Sequence, residues 1–210
     1  MQGDVNGALQ VLTDAFEYVN AAGLQDEVEW QRNTCLDDFT ESDLLRESAW
    51  VILCSGFREA TVRHYFDFIS LCFCDWESAE AIMTVRDASV HAARSVFRHE
   101  RKLRAIVDVA HRVAEVGFEA FKVSVMADPI GQLQRLPFVG PVTVWHLAKN
   151  LGLDTAKPDR HLVRISKKLG FGDVHEFCRA ISNVSGYEVK VVDLVIWRYL
   201  ADNPVHARTL

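Results

Sequence analysis

No apolar run in this chain approaches the roughly 18 residues of a membrane span; the longest near candidate, residues 50–54, suits a buried helix. No basic amino-terminal stretch leads into an apolar run, so the sequence predicts a cytosolic chain, nucleoid-associated if prokaryotic, with no membrane partner. Cysteine is sparse and unpatterned. Cys35, Cys54, Cys72, Cys74 and Cys178 form no CxxC pair, and their odd number argues against a disulfide framework. Cys72 and Cys74 stand two apart on an expected helix and point to different faces, which argues against a shared zinc or cluster; buried, inert thiols are expected. Strand alternation is scarcely seen, since residues 123–125 are too short to nucleate a sheet, and the expected fold is all-α. Positive charge is also short. With 23 basic against 29 acidic side chains the net charge is −6, the wrong sign for a protein that holds a polyanion through a uniformly basic surface.

What is present is the balance of a folded protein: 210 residues, 49% hydrophobic and 25% charged, enough for one globule or two closely packed lobes. The acidity is concentrated at one end. Residues 1–50 hold 11 acidic and 2 basic side chains, whereas residues 51–210 hold 18 and 21. Two basic stretches survive inside the acidic chain, one over residues 91–112 and one over 131–170, and each reads equally as a solvated helix face.

Helical periodicity runs through most of the chain. Leu103, Ile106, Val107, Ala110, Val113 and Ala114 recur at three- and four-residue steps, with Arg101, Lys102, Arg104, Asp108 and Arg112 on the complementary side. Thr40 followed by Asp43 resembles a capping box that opens a helix through Leu53, which Ser55 and Gly56 close. Further helices are expected over 7–20, 59–73, 88–97, 118–125, 141–151, 161–169, 174–182 and 188–201.

The segment 129–170 carries the most chemistry. Pro129 can open a short helix, Leu136-Pro137-Phe138-Val139-Gly140 is a tight apolar turn, and Pro141 suits the first position of the next helix, which Gly152 ends. Such a hairpin leaves unpaired amides at the positive end of its second helix, a ready anion site that a DNA phosphate would fit. After a polar loop, Lys157-Pro158-Asp159-Arg160-His161 begins another helix ending at Gly170. Asp159 stands where a plain helix cap would stand.

These residues resemble the helix-hairpin-helix DNA glycosylases, the superfamily of endonuclease III and of the adenine and alkylpurine glycosylases. The carriers are Leu136 to Gly140 with Thr143 for the hairpin, and Asp159, His161 and Arg164 for the downstream helix; Leu44 to Val62 is similar to the family's early helix pair around a DNA-inserting loop. The strong part covers about 40 residues, and the weaker correspondence most of 41–201. The resemblance implies a two-lobed helical protein: an acidic segment 1–40 packing with the C-terminal lobe, a six-helix-barrel-like lobe over 41–170, and C-terminal helices over 171–210. Three departures matter. Phe138 replaces the first glycine of the usual hairpin. Val142 occupies the place of the Schiff-base lysine, which implies a monofunctional enzyme that removes the base and leaves an abasic site. Cys178 alone cannot build the four-cysteine iron–sulfur cluster; no other cofactor is implied, apart from a monovalent cation that the hairpin would admit.

The resemblance puts the catalytic carboxylate at Asp159, stabilising positive charge on the sugar, orienting water, or both. The target base must leave the duplex, with Phe57 or Arg58 as the wedge, although 55–58 also reads as an ordinary solvent-facing turn. Phe138, Val139, Gly140, Val142 and Thr143 would form the phosphate hairpin. Val142, His146 and Lys149 share a helix face, so His146 and Lys149 would border the base pocket, His146 reading otherwise as a satisfied core or surface histidine. Lys157, Arg160, Arg164, Lys167 and Lys168 would supply phosphate attraction, with Arg94, Arg98, Arg101, Lys102 and Arg104 as a second patch. Trp50, Tyr65, Phe66 and Trp197 offer stacking surfaces or, equally, packing, and Trp145 reads as core. The expected partner is DNA bearing a damaged or modified base, bound by a monomer, and the acidic segment 1–50 would face away from DNA or brake non-specific binding. Two alternatives stay open: a non-catalytic helix-hairpin-helix module, which has no use for Asp159, and a bifunctional lyase using a displaced amine such as Lys149.

Overall fold

A computed structural model describes residues 3–203, and among them every regular element is helical. Contacts divide the chain into two compact units. One is built from residues 1–35 and 152–210, the other from residues 36–151. Residues 152–170 therefore group with the two end segments, where the sequence had placed them with 41–151.

The discontinuous unit holds α1 (Val5–Ala21), α2 (Gln25–Asn33), α11 (Arg160–Lys168), α12 (Val174–Ser185) and α13 (Val189–Asp202). Asp4 starts α1 by accepting a hydrogen bond from the Gly7 amide. The apolar stripe Ala8, Val11, Leu12, Ala15 and Val19 of α1 then packs with Phe177 and Ile181 of α12 and with Val192, Val195 and Ile196 of α13. Leu162 and Ile165 bring α11 into the same core. The helix α2 escapes prediction because its sequence, QDEVEWQRN, buries only Val28 and Gln31; it is tied to α13 by the Arg198–Glu27 ion pair at 2.6 Å.

The continuous unit holds α3 (Glu41–Cys54), α4 (Glu59–Cys72), a 3-10 turn (Cys74–Trp76), α5 (Ala79–Thr84), α6 (Arg86–Ala93), α7 (Glu100–Val116), α8 (Phe118–Ala127), α9 (Pro129–Leu133) and α10 (Thr143–Asn150). The capping box at Thr40 and Asp43 is formed in both directions. Leu45, Ile52 and Leu53 of α3 and Leu103, Ile106 and Ala110 of α7 are buried in this unit. Phe73 and Trp76 stack at 5.6 Å, and the Trp76 indole N–H donates to the Ser70 hydroxyl. Two expectations change here. The helix after the hairpin begins at Thr143 rather than 141, because Pro141 and Val142 remain in the turn, although the Val144 amide already reaches the Gly140 carbonyl. The thiols are free but not uniformly buried: Cys178 is, whereas Cys54, Cys72 and Cys74 are half-buried and Cys35 is exposed.

Candidate functional site

In the continuous unit, the turn between α9 and α10 is anchored from inside. Leu136 and Val139 are buried, and the Val139 amide donates to the Leu136 carbonyl at 3.1 Å. Phe138, between them, takes a left-handed backbone with φ of +60°, a conformation that favours glycine and that an L side chain adopts at a cost of about 1–2 kcal/mol. Its ring stays half-exposed, edge-on to His99 at 6.4 Å. Gly140 has the opposite character. Its φ is not positive and a Cβ there would meet nothing within 4 Å, so nothing within the described chain demands a glycine. The amides of Gly140, Val142 and Thr143 donate to no backbone carbonyl among the described residues, which leaves a row of donors at the positive end of α10. Along that helix Val142 is 44% exposed, His146 half-buried and Lys149 4% exposed, so the face shared by these three runs from surface to interior.

The second basic patch separates into three kinds of residue. Arg94 and Arg104 are committed to Glu100 at 2.9 and 2.8 Å. Lys102, which the sequence placed among phosphate contacts, is 3% exposed and serves the interior instead. Its ammonium donates to the carbonyls of Ile52, Leu53 and Ser55, filling acceptors that the end of α3 leaves open, and lies 5.2 and 5.8 Å from the ring centres of Phe57 and Phe138. Burial pushes its pKa down to about 8. Arg98 and Arg101 line a groove of about 560 Å³ with Phe57, Thr61, Tyr65 and His99. Phe57 is half-exposed and backed by Phe97 at 5.0 Å, while Arg58 stands exposed as the residue that caps α4. Of the aromatics named from sequence, Tyr65 reaches this groove; Trp50 and Phe66 pack against each other edge-on at 5.0 Å. The groove was not legible, because its walls come from two segments, 57–65 and 96–101, some 40 residues apart in sequence.

In the discontinuous unit, Asp159 is the residue that caps α11. Its backbone is extended, and its Oδ1 accepts from the amides of His161 at 2.9 Å and Leu162 at 3.1 Å. The carboxylate is thereby fixed against the positive end of the helix, with Oδ2 accepting no hydrogen bond from the described residues. His161 Nε2 accepts from Arg160 Nε at 3.2 Å, while Nδ1 is buried without a partner among the described residues. Burial lowers the His161 pKa, opposed by the adjoining Asp159 carboxylate and reinforced by Arg160, Arg164 and Lys157. Arg160, Arg164, Lys167 and Lys168 are exposed along α11 and Lys157 is half-buried before it. Trp197, on α13, is half-buried beneath the Arg198 guanidinium at 4.8 Å.

No group of three or more His, Cys, Asp or Glu side chains suited to a metal gathers among the described residues, and among them no helix is long and apolar enough to cross a membrane. No protein-family model matches the chain, and no curated protein or solved structure matches it significantly.

Proposed function

We propose that the protein is a monofunctional DNA glycosylase that extrudes a damaged or modified base and hydrolyses its N-glycosidic bond. The observation that carries this reading is the α9–α10 turn, where the amides of Gly140, Val142 and Thr143 donate to no backbone carbonyl among the described residues and nothing among those residues requires a glycine at 140. That combination suits the close approach of an external anion such as a DNA phosphate. The groove of Phe57, Tyr65, Arg98 and Arg101 supports the same partner, since stacking surfaces beside guanidinium groups suit bases and their phosphates. Asp159 supports the chemistry. A carboxylate fixed by two amides, with one oxygen left for a reacting centre, can stabilise an oxocarbenium-like sugar or orient water. Because base release leaves a hydrolysed sugar, no covalent amine intermediate is needed, in keeping with Val142 at the lysine position.

The test is a set of duplexes, each carrying one modified base, incubated with the protein and then treated with hot alkali to reveal abasic sites. Alkylated purines are the first class to try, being weakly bonded or cationic leaving groups. The expected result is cleavage of at least one duplex, abolished by Asp159→Asn with DNA affinity retained. Normal turnover by that variant would remove Asp159 from the chemistry.

A second reading, a non-catalytic DNA-binding module, draws on one observation: the hydrogen bonds of Asp159 already account for it as a helix cap. Binding without a strand break on any duplex would favour this reading. Burial of Lys149 weighs against a lyase built on that amine, and failure to trap a covalent DNA adduct with borohydride is the expected outcome.

A further inference from the structure

We propose that Asp154 and Asp193 act as a reciprocal clamp, joining the loop 153–159 to α13 and so fixing where the Asp159 carboxylate stands. The proposal rests on the glycosylase reading for the reason the position matters, and on hydrogen bonds for the clamp itself. Asp154, in the loop, accepts through Oδ1 from the Lys190 amide at the start of α13, at 2.9 Å. Asp193, one turn along α13, accepts through Oδ1 from the Lys157 amide in the loop, at 2.8 Å. Each partner gives the other one carboxylate and one amide, and the two bonds are offset by three residues on both strands of chain. A capping box has the same reciprocity within one helix end; here it is spread over two segments 36 residues apart.

The restraint continues to Asp159. Thr155 and Ala156, between the clamp's two loop residues, are buried. The Lys157 carbonyl accepts from the Asp159 amide at 2.7 Å around Pro158, whose ring fixes φ, and Asp159 then accepts from His161 and Leu162. An unbroken series of hydrogen bonds therefore runs from α13 to the first turn of α11. Asp193 is 1% exposed, and holding a carboxylate there carries a desolvation cost. A loop that only had to close could do so without a buried carboxylate. A loop that must present a carboxylate to within a fraction of an ångström does benefit, because small misplacements of reacting groups are costly.

The experiment uses the full chain as wild type, Asp193→Ala, Asp193→Asn and Asp154→Ala. Amide hydrogen exchange is read at Lys157, Lys190, His161 and Leu162, and single-turnover base release is read on whichever duplex of the modified-base set the wild type cleaves. Loss of the clamp is expected to speed exchange at Lys157, His161 and Leu162 by about tenfold or more in Asp193→Ala. Base release should fall by about ten- to a hundredfold with DNA affinity unchanged. Asp193→Asn, whose amide oxygen still accepts, should recover most of both. Asp154→Ala alters an exposed side chain, and decides the matter if Asp193→Ala does not fold; its exchange should rise at Lys190 and at His161 and Leu162. Unchanged exchange at Lys157 and Lys190 would overturn the clamp, and exchange that rises there but not at His161 and Leu162 would overturn its positioning of Asp159. If the wild type releases no base, the glycosylase reading fails by itself, and the exchange data still judge the clamp.

Discussion

Glu47 shows how much of a residue's behaviour depends on where its tip ends. It lies in α3 at 5% exposure, its Oε2 taking the Asn150 amide at 2.8 Å and its Oε1 the Arg46 guanidinium at 2.6 Å. Burial pushes its carboxyl above the usual value, with Arg46 and Asn150 pulling it back. A folded carboxyl that holds its proton more tightly than the unfolded one favours the fold at acid pH, and that contribution is lost as pH rises through the folded value. Glu47→Gln keeps an acceptor for Asn150 and removes the buried charge. The expected result is a melting temperature raised by about 2–4 °C at pH 7, the difference closing below the ordinary carboxyl value of 4.5. Thermal melts at both pH values check it, and a lower melting temperature at pH 7 would mean that the Arg46 pair outweighs the desolvation. Lys102 makes the same point for legibility. Helical periodicity assigns a lysine to the solvated side by its charge, yet this side chain turns inward to three carbonyls, and no spacing rule records such a turn. Phe138 was visible as a glycine replacement, but its left-handed backbone was not.

At the scale of elements, what the sequence announced best were helices with both a stripe and a cap. The helix α11 is the clearest: Leu162 and Ile165 face the core, Arg160, Arg164, Lys167 and Lys168 face out, and an aspartate and a glycine bracket it. The helices α2 and α5 were missed for opposite reasons, one too polar to show a stripe, the other too short to repeat one. The outward face of α11 has a measurable consequence if it meets phosphates. Replacing Arg164 and Lys168 by Gln should flatten the plot of log affinity against log salt by about 0.9 per residue. Titration of one duplex across a salt series checks this, and an unchanged slope would take α11 out of the interface.

At the scale of the whole chain, charge suggests an acidic amino-terminal segment that faces away from DNA or brakes non-specific binding. The packing of α1 gives that segment a structural part as well, because its acidic residues share a helix with Ala8, Val11, Leu12, Ala15 and Val19, all in the core shared with α12 and α13. Deleting residues 1–34 should therefore abolish more helix by circular dichroism than the deleted residues supply, and open residues 152–203 to limited proteolysis. Retained protection of that region would show α1 to be dispensable. Composition alone could not reveal this, since a net count of charges is blind to which face carries them.

The divided construction of this unit also sets a timetable for biosynthesis. α1 leaves the ribosome well before α12 and α13, the helices that cover its apolar stripe. At ordinary elongation rates that interval lasts about 10–30 s, during which residues 36–151 can complete their own contacts while α1 still waits for a partner. A slow codon stretch ahead of α13 would prolong that wait, making the nascent chain most dependent on holdase chaperones just before α13 appears.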